Sequence, residues 1–223
     1  MPFLTDQEID QTFALIKGNE ILPEVFQYLA EWGSSAYNIE ILNIFYETIE
    51  DGSPRITLVL RNDEQEKKMN DGYCLISQER QKQIISKFMD LYSQSNCSLN
   101  VFAPERTFVV TKDFEQGLME SLVRNARSRP DAVKREIIAM SNKIWEVQGS
   151  FSTLDVFFYT EDAVDDLANV TLKERIKDRW AHTLEKLDKN NYFPLDVLRN
   201  SVRFYSQDHL EQHYRGSFFY FYR

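Results

Sequence analysis

Two apolar runs on either side of one turn dipeptide place the strongest constraint on how this chain can fold. Residues 37–48 and 55–61 are rich in Ile, Leu, Phe, Tyr and Val, and they flank the dipeptide Asp51-Gly52. Residues of these types favour strands, and Asp-Gly provides the positive φ that a tight hairpin turn needs. The sequence therefore predicts a β-hairpin near the start of the chain.

Capping patterns predict helices on both sides of this hairpin. Thr5 and Glu8 have the spacing of a capping box ahead of apolar residues at helical intervals, and Thr171 and Glu174 repeat that spacing. Other helices are predicted to begin near Pro23, Ser77, Asp113 and Asp131.

Short apolar segments predict further strands. They cover residues 73–76, 99–103, 107–111, 151–159, 202–205 and 218–222. The helix from Asp131 is expected to include Ile144 and Trp145, and the polar segment 62–72 is expected to be a surface loop. Together these elements predict an α+β fold in which helices pack on one or two mainly antiparallel sheets.

A helix that ends at a proline divides the chain into halves with a similar order of elements. The segment 127–130 ends in Pro130, and the residue before a proline avoids the helical region. We expect an N-terminal lobe over 1–128 and a C-terminal lobe over 131–223, or one continuous domain. Both halves place an aromatic pair in a strand, Phe45-Tyr46 and Phe158-Tyr159. A decayed tandem repeat explains this order, and chance in a chain of alternating helices and strands is the simpler explanation.

The charge of the chain limits its partners. There are 35 acidic and 26 basic side chains, a formal net charge of −9, which repels the phosphates of nucleic acids. A basic protein is the expected partner. One local basic cluster contains Arg124, Arg127 and Arg135, which are candidate anion-binding residues. The simpler interpretation of that cluster is a solvated helix end.

Cysteine usage and hydropathy suggest a compartment. Cys74 and Cys97 are too few and too far apart in sequence for a disulfide framework or a four-cysteine zinc site. We find no secretory signal pattern and no apolar run of the length that a membrane helix needs. The expectation is a cytoplasmic protein without membrane association and without a cofactor.

The only histidine pair in the chain is the one candidate for metal or acid/base chemistry. His209 and His213 are four residues apart, so on a helix both imidazoles face one side. Glu211 does not occupy the position that either zinc-protease motif requires. A polar helix between two strands is therefore the favoured interpretation of this segment.

An aromatic run at residues 218–222 is the most unusual segment of the sequence. In a strand, Phe218, Tyr220 and Tyr222 would share one sheet face, and they are candidate binding residues. A central strand covered on both faces explains the run without any binding role, and we expect these rings to be largely buried.

Three functions are compatible with these features. The first is a non-enzymatic acidic protein-binding module, immunity-like or inhibitor-like, because the chain is acidic and aromatic and lacks a catalytic motif. The second is an enzyme with a metal or acid/base site around His209 and His213. The third is a small-molecule-binding protein with an aromatic pocket between the lobes. Self-association is compatible with each of them.

Overall fold

Helices and short strands follow one another along the chain in a computed structural model of the protein. The structure describes residues 4–70, 76–95, 103, 106–128 and 132–223. The chain divides into two units, Met1–Leu118 and Met119–Arg223, called here the N-terminal and C-terminal units. The α+β class is confirmed, because the described residues form eleven α-helices and two three-stranded sheets.

The N-terminal unit is built on a mixed sheet. β1 (Ile41–Thr48) and β2 (Pro54–Leu60) form the expected antiparallel hairpin, and β3 (Phe108–Asp113) lies parallel to β2. The strand order is β1-β2-β3. The helices are α1 (Asp6–Ile16), α2 (Glu24–Tyr37), α3 (Asp63–Met69), α4 (Gln78–Gln94) and α5 (Phe114–Ser128), and α5 continues past the boundary of the unit.

Aromatic packing fills the core of the N-terminal unit. Phe88 of α4 lies parallel to Phe26 of α2, with 5.9 Å between ring centroids, and its ring centroid is 5.5 Å from that of Tyr46. Leu58 of β2 belongs to the same cluster. Since successive side chains of a strand point to opposite faces, Val59 points to the other face of the sheet.

Polar contacts join α1 to that other face. Lys112 is the register partner of Val59, and its Nζ lies 2.6 Å from Glu8 Oε1. Asn43 Nδ2 donates to Thr12 Oγ1 at 3.0 Å, and both residues are buried. Buried polar groups with specific partners fix the position of a helix more narrowly than apolar contact alone.

The C-terminal unit contains a second mixed sheet. β4 (Ile144–Gly149) and β5 (Leu154–Phe158) are antiparallel, β6 (Val202–Ser206) is parallel to β5, and the order is β4-β5-β6. The helices are α6 (Ala132–Ala139), α7 (Glu161–Asp165), α8 (Val170–Glu185), α9 (Leu195–Arg199), α10 (Gln207–Tyr214) and α11 (Phe218–Phe221).

A buried tryptophan anchors α8 in this unit. The indole Nε1 of Trp180 donates to Ser201 Oγ at 3.0 Å, and Ser201 Oγ donates to the Leu198 carbonyl oxygen at 2.6 Å. This fully buried tryptophan therefore has its polar atom paired, which avoids the cost of an unsatisfied donor.

The two sheets share strand order, strand directions and one irregularity. The register of each hairpin shifts once, between Ile41 and Asn43 in the first and between Ile144 and Glu146 in the second. At this β-bulge, the side chain of Asn43 or of Glu146 accepts a hydrogen bond from the next backbone amide, at 2.7 Å in both cases.

Helix starts correspond in the same way. Asn62 and Thr160 each cap a short helix that begins three residues after the second strand ends. Asp113 and Ser206 are the last residues of the third strands, and each caps the helix that follows. The helix starts that follow the second and third strands are therefore built alike in both sheets.

The loop predicted for residues 62–72 is wrong, because α3 occupies most of it. Asn62 Oδ1 accepts from the Gln65 amide, which starts the helix. Glu66 and Met69 turn inward, and Glu66 Oε1 accepts from Thr111 Oγ1 at 2.8 Å. A largely polar helix can therefore pack on the core of this unit, because Met69 supplies the apolar contact and the buried Glu66 carboxylate is paired.

Two other helix predictions also need correction. The helix near Asp131 ends at Ala139, and Ile144 and Trp145 lie in β4. The helix and the strand are both apolar and only a short turn lies between them, so the sequence pattern predicts one continuous helix. Thr171 does not cap α8, since that helix already starts at Val170.

The strand predicted at 218–222 is a helical turn, α11. Its backbone amides bond to carbonyls three or four residues earlier, as those of Tyr220 and Phe221 show. The rings are also less buried than expected, since Phe219 is 64% and Tyr220 is 51% exposed. β-propensity was overridden because ring packing, rather than strand pairing, attaches this segment.

Several predictions lie outside the described residues. These are the strand at 99–103 except for residue 103, most of the strand at 73–76, and Arg129 and Pro130 of the expected boundary. No described helix has both the length and the apolar character needed to cross a membrane.

Candidate functional site

The net negative charge of the chain belongs to one of its two units. The N-terminal unit contains 19 acidic and 10 basic side chains, whereas the C-terminal unit contains 16 of each. The formal charge of −9 therefore arises from the N-terminal unit alone. A basic partner is attracted to this unit more strongly than to the other.

An open cleft of about 450 Å³ lies at the surface of the N-terminal unit. The end of α1, the segment that leads to α2 and the start of β1 form its walls. Its apolar lining consists of Leu15, Ile16, Ile21, Leu22, Ile41 and Leu42.

The cleft has an exposed apolar residue at its edge. Ile21 is 86% exposed, and it follows a tight turn at Gly18, which has φ +69°. The amides of Asn19 and Glu20 donate to the Ala14 carbonyl oxygen, which closes this turn on the end of α1. Ile16, the last residue of α1, is also exposed, so aliphatic surface from two residues faces water at this edge of the cleft.

Carboxylates lie at the rim of the cleft. Glu20 is exposed, and Glu40 forms two hydrogen bonds with the Arg61 guanidinium, at 2.5 and 2.6 Å. The hydrogen bonds from Arg61 lower the pKa of Glu40, so this carboxylate stays ionised. The Glu40 amide donates to Gln65 Oε1 at 2.7 Å, which ties the rim to α3.

The described lining of the cleft combines aliphatic side chains with Gln27 and three charged residues, Glu20, Glu40 and Arg61. It contains no Ser, Cys, His or Lys, the residue types that most often act as nucleophile or general base. An apolar floor with a charged rim is instead the usual arrangement of a protein-binding surface.

A buried carboxyl lies elsewhere in the N-terminal unit, where β3 meets α5. Asp113 Oδ1 accepts from the Gln116 amide at 2.9 Å. Burial raises the pKa of Asp113 to about 6 against the effect of this hydrogen bond, and the charges of Glu66 and Glu115 add to the rise. Its contacts are those of a helix cap.

His209 and His213 lie one turn apart on α10, with 4.7 Å between ring centroids. The His209 ring also stacks on Tyr205. Within the described ranges, no group of three or more His, Cys, Asp and Glu side chains is arranged to hold a metal ion. The metal and acid/base roles of the pair stay predictions.

The arginine cluster belongs to two helices. Arg124 and Arg127 lie on α5, and Arg135 lies on α6. The side chains of Arg124 and Arg135 are exposed, and that of Arg127 lies outside the described residues. Anion binding by this cluster stays a prediction.

The three aromatic candidates are not brought to one face. Phe218 stacks on Trp145 of β4 with 5.8 Å between ring centroids, and Tyr222 stacks on Phe218 at 6.3 Å. Tyr220 points away and is half exposed. The helical turn explains the difference, because positions four apart share a face whereas positions two apart do not.

Sequence reasoning missed the cleft. The available signal was the segment Glu20-Ile21-Leu22-Pro23, in which two aliphatic residues stand between a charged residue and a proline in an expected loop. Its neighbours in the cleft, Ile41 and Arg61, are remote in sequence, so only the folded hairpin brings them together.

Known proteins add no function to this geometry. Comparison with protein-family models, with curated protein sequences and with solved structures finds no match to this chain.

Proposed function

We propose that the protein is a non-enzymatic binding module, immunity-like or inhibitor-like, that engages a basic partner protein through the cleft of the N-terminal unit. The observation that carries this proposal is an apolar cleft with the exposed Ile21 at its edge, in the unit that holds all of the net negative charge. Because Cys74 and Cys97 do not form a disulfide framework by spacing, we place this function in a reducing compartment, the cytoplasm.

Two physical terms would act together in such a complex. Burial of an aliphatic side chain such as Ile21 contributes about 1.5–3 kcal/mol, which supplies affinity. The exposed Glu20 carboxylate and the net negative charge of the unit attract lysine and arginine side chains, which raises the association rate and disfavours acidic competitors.

The correspondence of the two sheets bears on this proposal. We infer that the units descend from a tandem duplication, supported by the shared β-bulge at Asn43 and Glu146. In that alignment Lys143 takes the place of Glu40, since each residue immediately precedes the first strand of its sheet. The corresponding cleft of the C-terminal unit is lined by Lys143 and, among the described residues, by no large aliphatic side chain, and we expect it not to bind a basic apolar segment.

A defined peptide tests the proposal. A short synthetic peptide of alternating lysine and leucine is titrated into the full chain by calorimetry, beside a peptide in which glutamate replaces lysine. We expect the basic peptide alone to bind, with an affinity that falls as salt rises. Ile21→Ser is expected to weaken binding about tenfold, which corresponds to about 1.4 kcal/mol.

A matched control is available in the other unit. Leu167 is 85% exposed, so Leu167→Ser removes a similar apolar side chain far along the sequence. Binding unaffected by Leu167→Ser and weakened by Ile21→Ser supports the cleft. Equal binding of both peptides, or equal effects of both substitutions, would show that the cleft is not the site.

A further inference from the structure

The segment 217–223, called here the aromatic strap, lies on one face of the second sheet. Phe218 contacts Trp145 and Phe157, at 5.8 and 5.1 Å between ring centroids. Phe221 contacts Phe157 and Tyr205, at 5.4 and 4.8 Å. Each of the three strands therefore provides one ring to the surface on which the strap lies.

A buried polar pair lies at the same place. The Asp155 side chain is 1% exposed, and its Oδ1 accepts from Thr153 Oγ1 at 3.2 Å and lies 3.3 Å from Arg203 Nε. Asp155 Oδ2 and the Tyr222 hydroxyl are both buried without a hydrogen-bond partner of standard geometry. Burial and the neighbouring Asp155 carboxylate raise the pKa of Tyr222, so the hydroxyl keeps the proton that it can donate to Oδ2.

Ring packing and this polar pair attach the strap, whereas strand pairing does not. The backbone amides of Ser217, Tyr220, Phe221 and Tyr222 donate to carbonyls within residues 214–218. Such a segment can leave its surface without breaking a β-ladder.

The connection to α10 is a strained hinge. Arg215 has φ +54° and the adjacent Gly216 has φ +69°. A left-handed arginine is strained relative to an extended one, so straightening relieves strain at Arg215 and breaks the hydrogen bonds from the Gly216 and Ser217 amides to carbonyls of α10. A straightened hinge carries the strap away from its own sheet.

We propose that the strap exchanges between two copies of this chain, so that each strap lies on the second sheet of the other copy. A second copy is the occupant that fits, because its strap would make the same ring contacts and offer the same Tyr222 hydroxyl to Asp155. This inference is independent of the cleft in the N-terminal unit. In the exchanged dimer, the ring contacts of Phe218 and Phe221 with Trp145, Phe157 and Tyr205 form between the two copies.

Two glycine substitutions in the full chain provide the test. Gly216→Ala disfavours the closed hinge, because alanine resists positive φ. Gly18→Ala is the matched control, since Gly18 has the same φ of +69° and an added Cβ meets nothing within 4 Å. At Gly216 the added Cβ meets only Glu211 Cγ, at 3.8 Å, so neither change is a steric clash.

The dimer fraction is measured by size exclusion with light scattering over a range of protein concentrations. The left-handed penalty corresponds to roughly tenfold for each hinge, so two relieved hinges lower the dimer dissociation constant about a hundredfold. We expect Gly216→Ala to show this shift. Gly18→Ala should leave the dimer fraction at the wild-type level.

A second pair of substitutions separates exchange from simple association through exposed rings. Phe219 and Tyr220 point away from the sheet, so Phe219→Ser with Tyr220→Ser leaves the exchanged contacts intact. Retention of the Gly216→Ala dimer in this background supports exchange. A monomeric Gly216→Ala protein, an equal dimer with Gly18→Ala, or loss of the dimer with the two serines would overturn it.

Discussion

The ion pair between Glu8 and Lys112 allows a sharp test of how α1 is held on the first sheet. The side chains are 14% and 7% exposed, and Glu8 Oε1 lies 2.6 Å from Lys112 Nζ. Glu8→Gln removes the charge but keeps an oxygen for the Thr5 amide, which Glu8 Oε2 accepts at 2.7 Å in the capping box. The substitution therefore leaves the helix cap in place and leaves Lys112 buried without a counter-charge.

The expected cost is large. Breaking a buried ion pair from one side typically costs about 3–5 kcal/mol, and we expect about 3 kcal/mol here because Glu8 is partly accessible. With a typical dependence on urea, this lowers the unfolding midpoint by about 1–2 M. The double variant Glu8→Gln with Lys112→Met removes both charges and should recover part of the loss.

The loss of unfolding free energy in Glu8→Gln should become smaller as the pH falls. Burial pushes the pKa of Glu8 upward, but the hydrogen bonds from Lys112 and Thr5 outweigh it and hold the pKa below its ordinary value. A carboxylate with a lowered pKa stabilises the fold above its unfolded pKa, and this stability is lost as the pH falls through the folded pKa. The difference between wild type and Glu8→Gln should therefore be full at neutral pH and shrink below about pH 4.5.

Urea unfolding followed by circular dichroism and by tryptophan fluorescence measures this difference, and Trp32 is the tryptophan of the N-terminal unit. Asp63→Asn is the control, because the Asp63–Lys67 pair lies in the same unit and is exposed. We expect that control to unfold at the wild-type midpoint. A Glu8→Gln midpoint equal to wild type at neutral pH, or a difference that does not change with pH, would refute the reasoning.

Two other predictions follow from buried and paired side chains. Burial raises the pKa of Asp113 to about 6, so the stability present below its unfolded pKa is lost as the pH rises through 6. Asp113→Asn keeps the cap acceptor and should stabilise the protein by about 1–3 kcal/mol at pH 7 and not at pH 3.5, as thermal melts at both pH values can check. His209→Ala with His213→Ala should leave the metal content of the purified protein unchanged, because two imidazoles without a third ligand bind zinc weakly. One equivalent of zinc that elemental analysis finds in the wild type and not in this variant would contradict that expectation.

Local signals in the sequence predicted much of the fold. The β1–β2 hairpin follows from Asp51-Gly52, and α1 follows from the capping box of Thr5 and Glu8, since in both cases nearby residues determine the geometry. The α+β class follows from the same alternation. The sequence did not predict the parallel pairing of β3 with β2, because the two strands are remote in sequence.

The secondary-structure predictions that were wrong concern segments whose conformation depends on tertiary contacts. Residues 218–222 have strong strand propensity, yet rings of the second sheet hold them as a helical turn. Segment 63–69 is nearly all polar, yet it is a helix because Met69 and Glu66 find room inward. The candidate cleft also depends on the hairpin bringing Ile41 beside Ile21, which no local pattern could show.

The paired β-bulges have a consequence for how the protein resists aggregation. β1 and β4 are edge strands, and an exposed edge is a template on which strands of other molecules can add. In each of them one amide, that of Ile44 or of Val147, already donates to the side chain of the preceding residue. That amide is not available to an incoming strand, and the bulge also bends the edge out of register with a straight neighbour. Asn43 and Glu146 thus act as built-in stops against the growth of intermolecular β-sheet.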